Sequence, residues 1–204
     1  MSLDAVISRI QEIESMTGMT PTTNSSQATS QTQSTDSTFA TQLQNAQGAS
    51  AAPASAGGAT VADRMVNLAR AELNKGVRET PDGSNNSPDI ARYRTATVGA
   101  ASGEPWCAYF VSYIAKMAGA PIGSHGQGMG YVPNIISWAK STNRFVPSSG
   151  SPRPGDLILF SQHVGIVESV NQDGSLTTIE GNSSNSVARR HHSKSEAVGF
   201  ARLG

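Results

Sequence analysis

The stretch DLILFSQHVGIVESVNQDGSLTTIEGN, Asp156 to Asn182, decides the fold. It contains three short runs, DLILF (156–160), HVGIVESV (163–170) and SLTTIEGN (175–182), rich in β-branched and large apolar residues and separated by turn formers, which is the pattern of strands. Asp173-Gly174 supplies a hairpin turn between the second and third, and AVGFARL (197–203) reads as a fourth strand. Upstream the period changes. Thr60 is a candidate N-cap for a helix carrying Val61, Met65, Leu68 and Leu73, with Gly76 just past its end. A second helix spans Trp106 to Met117, with Phe110, Val111, Ile114 and Met117 on one face and Gly119 as its stop. VPNIISWAK suggests a third, short one through Trp138. Helices followed by an antiparallel sheet predict an α+β fold, the N-terminal helices packed on one face of the C-terminal sheet.

The rest of the 204-residue chain sets limits. Lys plus Arg and Asp plus Glu balance at 15 each, leaving no basic stripe for nucleic acid and no polybasic membrane patch. A single cysteine forms no internal disulfide, and the Cys-x-x-Cys and Cys/His spacings of zinc sites are absent. No apolar run of about 20 residues exists to span a bilayer, and MSLDAVISRIQEIESMTGM, with acids and no continuous apolar core, does not read as a secretory signal peptide. Residues 1–16 place Leu3, Val6, Ile7, Ile10 and Ile13 at helical spacing. Residues 17–59 are Ser-, Thr-, Gln- and Ala-rich, which predicts a disordered linker interrupted by a short helix at 39–46. Residues 60–204 form the folded domain. Within it GVRETPDGSNNSPDIARYR (76–94) is dense in turn formers and predicts a long ordered loop, of the kind that often carries function.

Chemistry centres on EPWCAYFVSYIAKMAG, where Cys107 lies in the first turn of the second helix. A thiol attacks as thiolate, and the positive end of a helix dipole and a neighbouring imidazolium both favour that form. The alternative is a small buried hydrophobe. Period-two alternation puts His163, Gly165, Val167 and Ser169 on one strand face and Glu180 with Asn182 on one face of the next. Pairing across Asp173-Gly174 sets 168 opposite about 177 and 163 opposite about 182, which brings His163 beside Asn182 and Glu180. A carboxylate or a carboxamide there can hold the second nitrogen of the imidazole. Gly165 leaves open space beside the ring. His191-His192, next to Arg189 and Arg190, have no partner ligands at a defined spacing and are assigned to a solvated loop.

EPWCAYFV, PRPGDLILFSQHVGIVESV and TIEGN together resemble the CHAP family of cysteine, histidine-dependent amidohydrolases and peptidases. The resemblance covers about Thr60 to Gly204. It rests on Trp106-Cys107-Ala108 opening a helix, Pro154-Gly155-Asp156 before the first strand, His163-Val164-Gly165-Ile166-Val167 and Glu180-Gly181-Asn182. A related group of wall peptidases has Asp-Cys-Ser-Gly at the nucleophile, which this chain lacks. The resemblance implies a papain-like fold, Cys107 as nucleophile, His163 as general base, Glu180 as the group orienting it and Asn182 as an accessory polar residue. It also makes GSNNSPDIARYR a loop bordering the substrate groove, with Asn85 a candidate groove residue or a turn former; Trp106 and Trp138 are candidates for the groove wall or for the core, and His125 for the groove or the surface. Some members carry an acidic calcium loop before the cysteine. Thr95 to Pro105 hold one acid, Glu104, so neither a metal nor another cofactor is expected.

The implied activity is hydrolysis of an amide bond in peptidoglycan, either the sugar-to-L-Ala amide or one in the stem peptide or cross-bridge, by a monomer acting at the cell wall or in an extracellular or periplasmic space. The SRIQEIES helix, the linker and FATQLQ resemble the leaders of flagellum-associated wall hydrolases, which implies export without a cleavable signal peptide and contact with flagellar export or rod components through residues 1–46. A phage or prophage endolysin is the first alternative. A non-catalytic wall-binding or assembly module on the same scaffold is the second.

Overall fold

The computed structural model describes residues 58–204, so the helices expected at 1–16 and 39–46 and the linker around them lie outside the described residues. Four α-helices precede a six-stranded antiparallel sheet, the predicted α+β arrangement. Helix α1 is Val61–Asn74, α2 Pro88–Arg94, α3 Cys107–Met117 and α4 Val132–Ser141. The strands are β1 Phe145–Pro147, β2 Leu157–Leu159, β3 Val164–Val170, β4 Leu176–Ser183, β5 Ser186–His192 and β6 Gly199–Ala201, in the order β1-β6-β2-β3-β4-β5. No helix among the described residues is long and apolar enough to cross a membrane.

Local chemistry explains the helix boundaries. Thr60 caps α1 in a reciprocal box with Asp63: the Asp63 amide donates to Thr60 Oγ1 (3.1 Å) and the Thr60 amide to Asp63 Oδ2 (3.0 Å). Helix α2 falls inside the segment expected to be loop. Ser87 caps it through the Ile90 amide (3.3 Å), and Pro88 at its first position has a fixed φ suited to a helix start. A proline expected to break structure therefore begins it. In α3 the buried side is Phe110, Val111, Ile114, Ala115 and the capping Ala118, whereas Met117, expected in the core, is half exposed at 54%.

The main core lies between the helices and one sheet face, where Tyr93, Trp106, Phe110 and Ile114 meet Ile166 and Ile179. A smaller cluster on the other face joins Ile158, Val167, Leu176 and Phe200. Strands β3 and β4 pair as Ile166 opposite Ile179 and Val167 opposite Thr178, the expected register. It shifts by one after Val167, so that Ser169 and not residue 168 faces Thr177. The extra residue, Glu168, is buried and holds Arg70 of α1 (2.7 Å) and Arg189 of β5 (2.6 and 2.8 Å).

Two strands carry no apolar alternation and were not expected. Strand β1 is three residues long. Strand β5, SVARRHH, is mostly polar and is held by its ladder to β4 and by the Ser184-Asn185 turn, both residues at positive φ (54° and 60°). His191 and His192 thus stand on a strand and not in a solvated loop. In the Pro154-Gly155-Asp156 motif, Gly155 has φ +86° and its missing Cβ would lie 2.6 Å from Ala62 Cα. Asp156 receives two bonds from Arg202 (2.9 and 2.7 Å), which fixes the end of β6.

Candidate active site

Helix α3 brings Cys107 to the mouth of a cleft with only 6% of its surface exposed. Trp106 occupies the N-cap without a capping bond, and the Cys107, Ala108 and Tyr109 amides have no protein acceptor among the described residues. Free first-turn amides beside a thiol favour negative charge there.

Behind the cysteine a polar brace fixes the helix start. The Trp106 ring is fully buried against Tyr93 (centroids 5.9 Å apart), and its indole N–H donates to Glu79 Oε1 (3.0 Å). Glu79 Oε2 accepts the Asn85 amide (2.9 Å), and the Asn85 side chain donates to Gly103 O (3.3 Å) and accepts from Asn182 Nδ2 (3.0 Å). Trp106 and Asn85, candidates for the groove wall, do not line the cleft and instead brace the start of helix α3 from behind. Substituting Glu79→Ala orphans two donors, one of them the buried indole N–H. It is expected to cost about 2–3 kcal/mol, read by urea denaturation.

His163 follows the tight Ser161-Gln162 turn between β2 and β3, closed by the Phe160 amide on His163 O (2.9 Å). Its Nε2 lies 2.8 Å from Glu180 Oε2, and the Cys107 thiol is a neighbour of the ring. Burial opposes charge on this ring, but the bonds and charges of Cys107 and Glu180 outweigh it and push the imidazole up to about 9. Burial likewise works against ionised Glu180. The bonds from His163, Thr178 Oγ1 (2.6 Å to Oε1) and His192 prevail and bring its carboxyl down to about 2. The pair is an imidazolium bound to a carboxylate.

Gly165 faces Glu180, and the open space expected beside the imidazole is filled by the carboxylate stem: a Cβ on Gly165 would lie 2.6 Å from Glu180 Cγ. Gly165→Ala is expected to displace Glu180, costing about 1–3 kcal/mol of stability in thermal melts and lowering turnover together with it. Asn182 does not bond His163. Between Glu180 and Ser183 the β4–β5 register slips by one, and Asn182 sits at φ +57°, which turns its amide toward Asn85.

The cleft has a volume of about 620 Å³ and is walled by Gly99, Ala100, Glu104, Pro105, Tyr109, Met129, Gly130, Tyr131, Asn134 and Gln162. Tyr109 donates to Glu104; burial, then that carboxylate, raises the Tyr109 phenol above its ordinary range. A Cβ on Gly130 would lie 2.5 Å from the Tyr109 ring, so glycine permits the wall to close there. Trp138 and His125 do not line the cleft. Trp138 packs on the main core with Arg144 over its ring (5.6 Å), and His125 is exposed in a 3-10 turn, Ser124–Gly126. Tryptophans stood out in the sequence, whereas the lining residues are placed by two loops with no periodic signal. Glu104, Tyr109 and Gln162 were nevertheless each within three residues of Cys107 or His163.

His192 was also missed. Its Nε2 lies 2.8 Å from Glu180 Oε1, beside the Phe160 ring (centroids 4.8 Å apart). Among the described residues no group of three or more His, Cys, Asp and Glu side chains is arranged to hold a metal ion.

No curated protein matches the chain. The family model described as the CHAP domain matches residues 99–182, a span that runs from the cleft wall at Gly99 through Cys107 and His163 to Glu180 and Asn182. Residues 99–182 thus carry a CHAP domain, which supports a place among peptidoglycan amidases and peptidases.

Proposed function

We propose that the protein hydrolyses an amide bond of peptidoglycan with Cys107 as nucleophile. The observation that carries this reading is His163 set between the Cys107 thiol and buried Glu180, whose Oε2 it meets at 2.8 Å. Beside the thiol the imidazole, pushed up to about 9, takes the Cys107 proton, and the transfer leaves a thiolate and an imidazolium. Cys107 Sγ attacks the carbonyl carbon, and the developing oxyanion meets free first-turn amides, that of Cys107 itself first. The proton on His163 passes to the leaving nitrogen as the C–N bond breaks, which leaves a thioester and a free amine. His163, now neutral, takes a proton from water, the hydroxide displaces Cys107 from the acyl carbon, and the carboxylic acid departs. Glu180 keeps the imidazole oriented and stabilises its charge throughout. These steps use no metal or organic cofactor.

The cleft is large enough for several residues of a peptide or a sugar-peptide junction. Mass spectrometry of purified walls after digestion separates the two bonds at issue: new N-terminal L-Ala on intact stems marks an amidase, and shortened stems or opened cross-bridges mark an endopeptidase. No new amine or carboxylate on several wall types would overturn the hydrolase reading in favour of a binding module. The domain that acts is residues 60–204. We assign the place of action to the cell wall, with residues 1–46 contacting flagellar export or rod components, on the resemblance of SRIQEIES and FATQLQ to the leaders of flagellum-associated wall hydrolases. Loss of secretion on deleting residues 1–46 in a flagellated host, with activity in lysate retained, is the expected result. Unchanged secretion contradicts it.

A further inference from the structure

We propose that His192 is a positioning residue for the catalytic carboxylate, holding Glu180 from the side opposite His163 and linking it to Glu196 at the surface. The inference rests on the hydrolase reading above but adds a residue outside residues 99–182, the part the family model describes.

Glu180 has both oxygens occupied. Oε2 meets His163 Nε2 at 2.8 Å, while Oε1 receives Thr178 Oγ1 at 2.6 Å and His192 Nε2 at 2.8 Å. With a carboxyl ionised down to about pH 2, Glu180 only accepts, so both histidines donate to it. His192 turns its other nitrogen, Nδ1, to Glu196 Oε2 at 2.9 Å. Glu196 in turn accepts the Ser193 amide at Oε1 (2.7 Å) in the 3-10 turn Lys194–Glu196, and the bond from His192, then that from Ser193, lowers its carboxyl. Both His192 bonds form together only when both ring nitrogens carry protons, since a carboxylate has none to give. His163, Glu180, His192 and Glu196 thus form an unbroken hydrogen-bonded line from beside Cys107 to solvent. The Phe160 ring packs against both imidazoles, at 6.0 Å from His163 and 4.8 Å from His192, and limits water around the carboxylate.

The physical need is plain. A carboxylate 2% exposed on the sheet face away from the helices must be fully hydrogen-bonded to stay ionised. It must also keep one oxygen aimed at His163. Thr178, two residues back on the same strand, supplies one fixed point for Oε1, and His192 on β5 supplies a second from a different strand. Two donors converging on Oε1 leave Oε2 one direction.

The test compares His192→Ala and His192→Gln in the full chain, with Glu196→Gln as a third, exposed substitution. Two quantities are measured: hydrolysis of solubilised peptidoglycan fragments, as kcat and KM separately, and the midpoint of the His163 imidazole followed by NMR without substrate. His192→Ala is expected to lower kcat about 10- to 100-fold with KM little changed and to move the His163 midpoint below about 9, as Glu180 loses its aim. His192→Gln, whose amide can still donate to Oε1, restores most of both, and Glu196→Gln gives a smaller shift in the same direction. If His192→Ala does not fold, the glutamine variant and Glu196→Gln decide. An unchanged midpoint and kcat in His192→Ala, or a His163 midpoint that rises, overturns the proposal. Because the midpoint is read without substrate, a failure of the hydrolase reading leaves this test intact.

Discussion

Cys107→Ala is expected to lower the turnover of purified peptidoglycan by about 10⁴-fold or more, measured as loss of turbidity of purified walls and release of new amines, with the melting temperature nearly unchanged. The size of the effect follows from the arrangement. His163 and Glu180 can orient and carry a proton, but without sulfur there is no nucleophile positioned at the cleft, and the remaining first-turn amides only polarise a carbonyl for bulk water. Stability should survive, since the side chain is small, lies at the edge of the core and fills a helix start held by the Trp106 brace. Equal clearing by the variant and wild type would remove the thiol from the mechanism.

Glu180→Gln is the second large effect, expected to lower kcat about 10²- to 10⁴-fold. The side chain keeps its shape, but its nitrogen cannot accept from a histidine, so one of the two imidazoles loses its acceptor and the charge that sustains the His163 proton disappears. The pH dependence carries a sign. His163 is held at about 9, above its ordinary 6.5, so its contribution to stability is complete below about 6.5 and is lost as pH rises through about 9. Glu180 is held at about 2, below its ordinary 4.5, so its contribution is complete above about 4.5 and is lost as pH falls toward about 2. The two together predict a stability plateau between about pH 4.5 and 6.5 for the wild type. In Glu180→Gln the Glu180 share of the acid-side loss vanishes, while that of Glu72 and Glu168, also held below the ordinary range, remains, and the alkaline loss moves toward pH 6.5. Urea titrations across pH measure both limbs.

Much of this site was legible in the sequence because three of its parts depend on local patterns. The apolar face of α3 places Cys107 in its first turn, the Asp173-Gly174 turn sets the pairing of β3 with β4, and alternation along those strands puts His163 and Glu180 on one face. What was not legible depends on departures from those patterns. One extra residue between Glu180 and Ser183 turns Asn182 from the imidazole to Asn85, and strand period alone does not reveal a bulge. Strand β5 escaped notice because Arg189, Arg190, His191 and His192 bury little apolar surface, yet the strand is fixed by its ladder to β4, and with it a second histidine reaches the Glu180 carboxylate. Helix α2 was hidden for a related reason: turn-forming residues such as Ser87 and Pro88 are also good helix starters, and only the following Ile90 and Tyr93, fully buried, show which role they take. The cleft walls depend on loops 97–100 and 128–131, whose approach is set by contacts such as Ser112 Oγ with both the carbonyl (2.9 Å) and the amide (3.0 Å) of Met129.

The central claim is that His163, between Cys107 and the Glu180 carboxylate, carries a proton at neutral pH. NMR titration of the His163 ring in the full chain, assigned by its loss in His163→Gln, tests it directly. The account predicts a midpoint near 9 in the wild type, falling toward 6.5 in both Cys107→Ala and Glu180→Gln. A wild-type midpoint near 6.5, unmoved by either substitution, would contradict it.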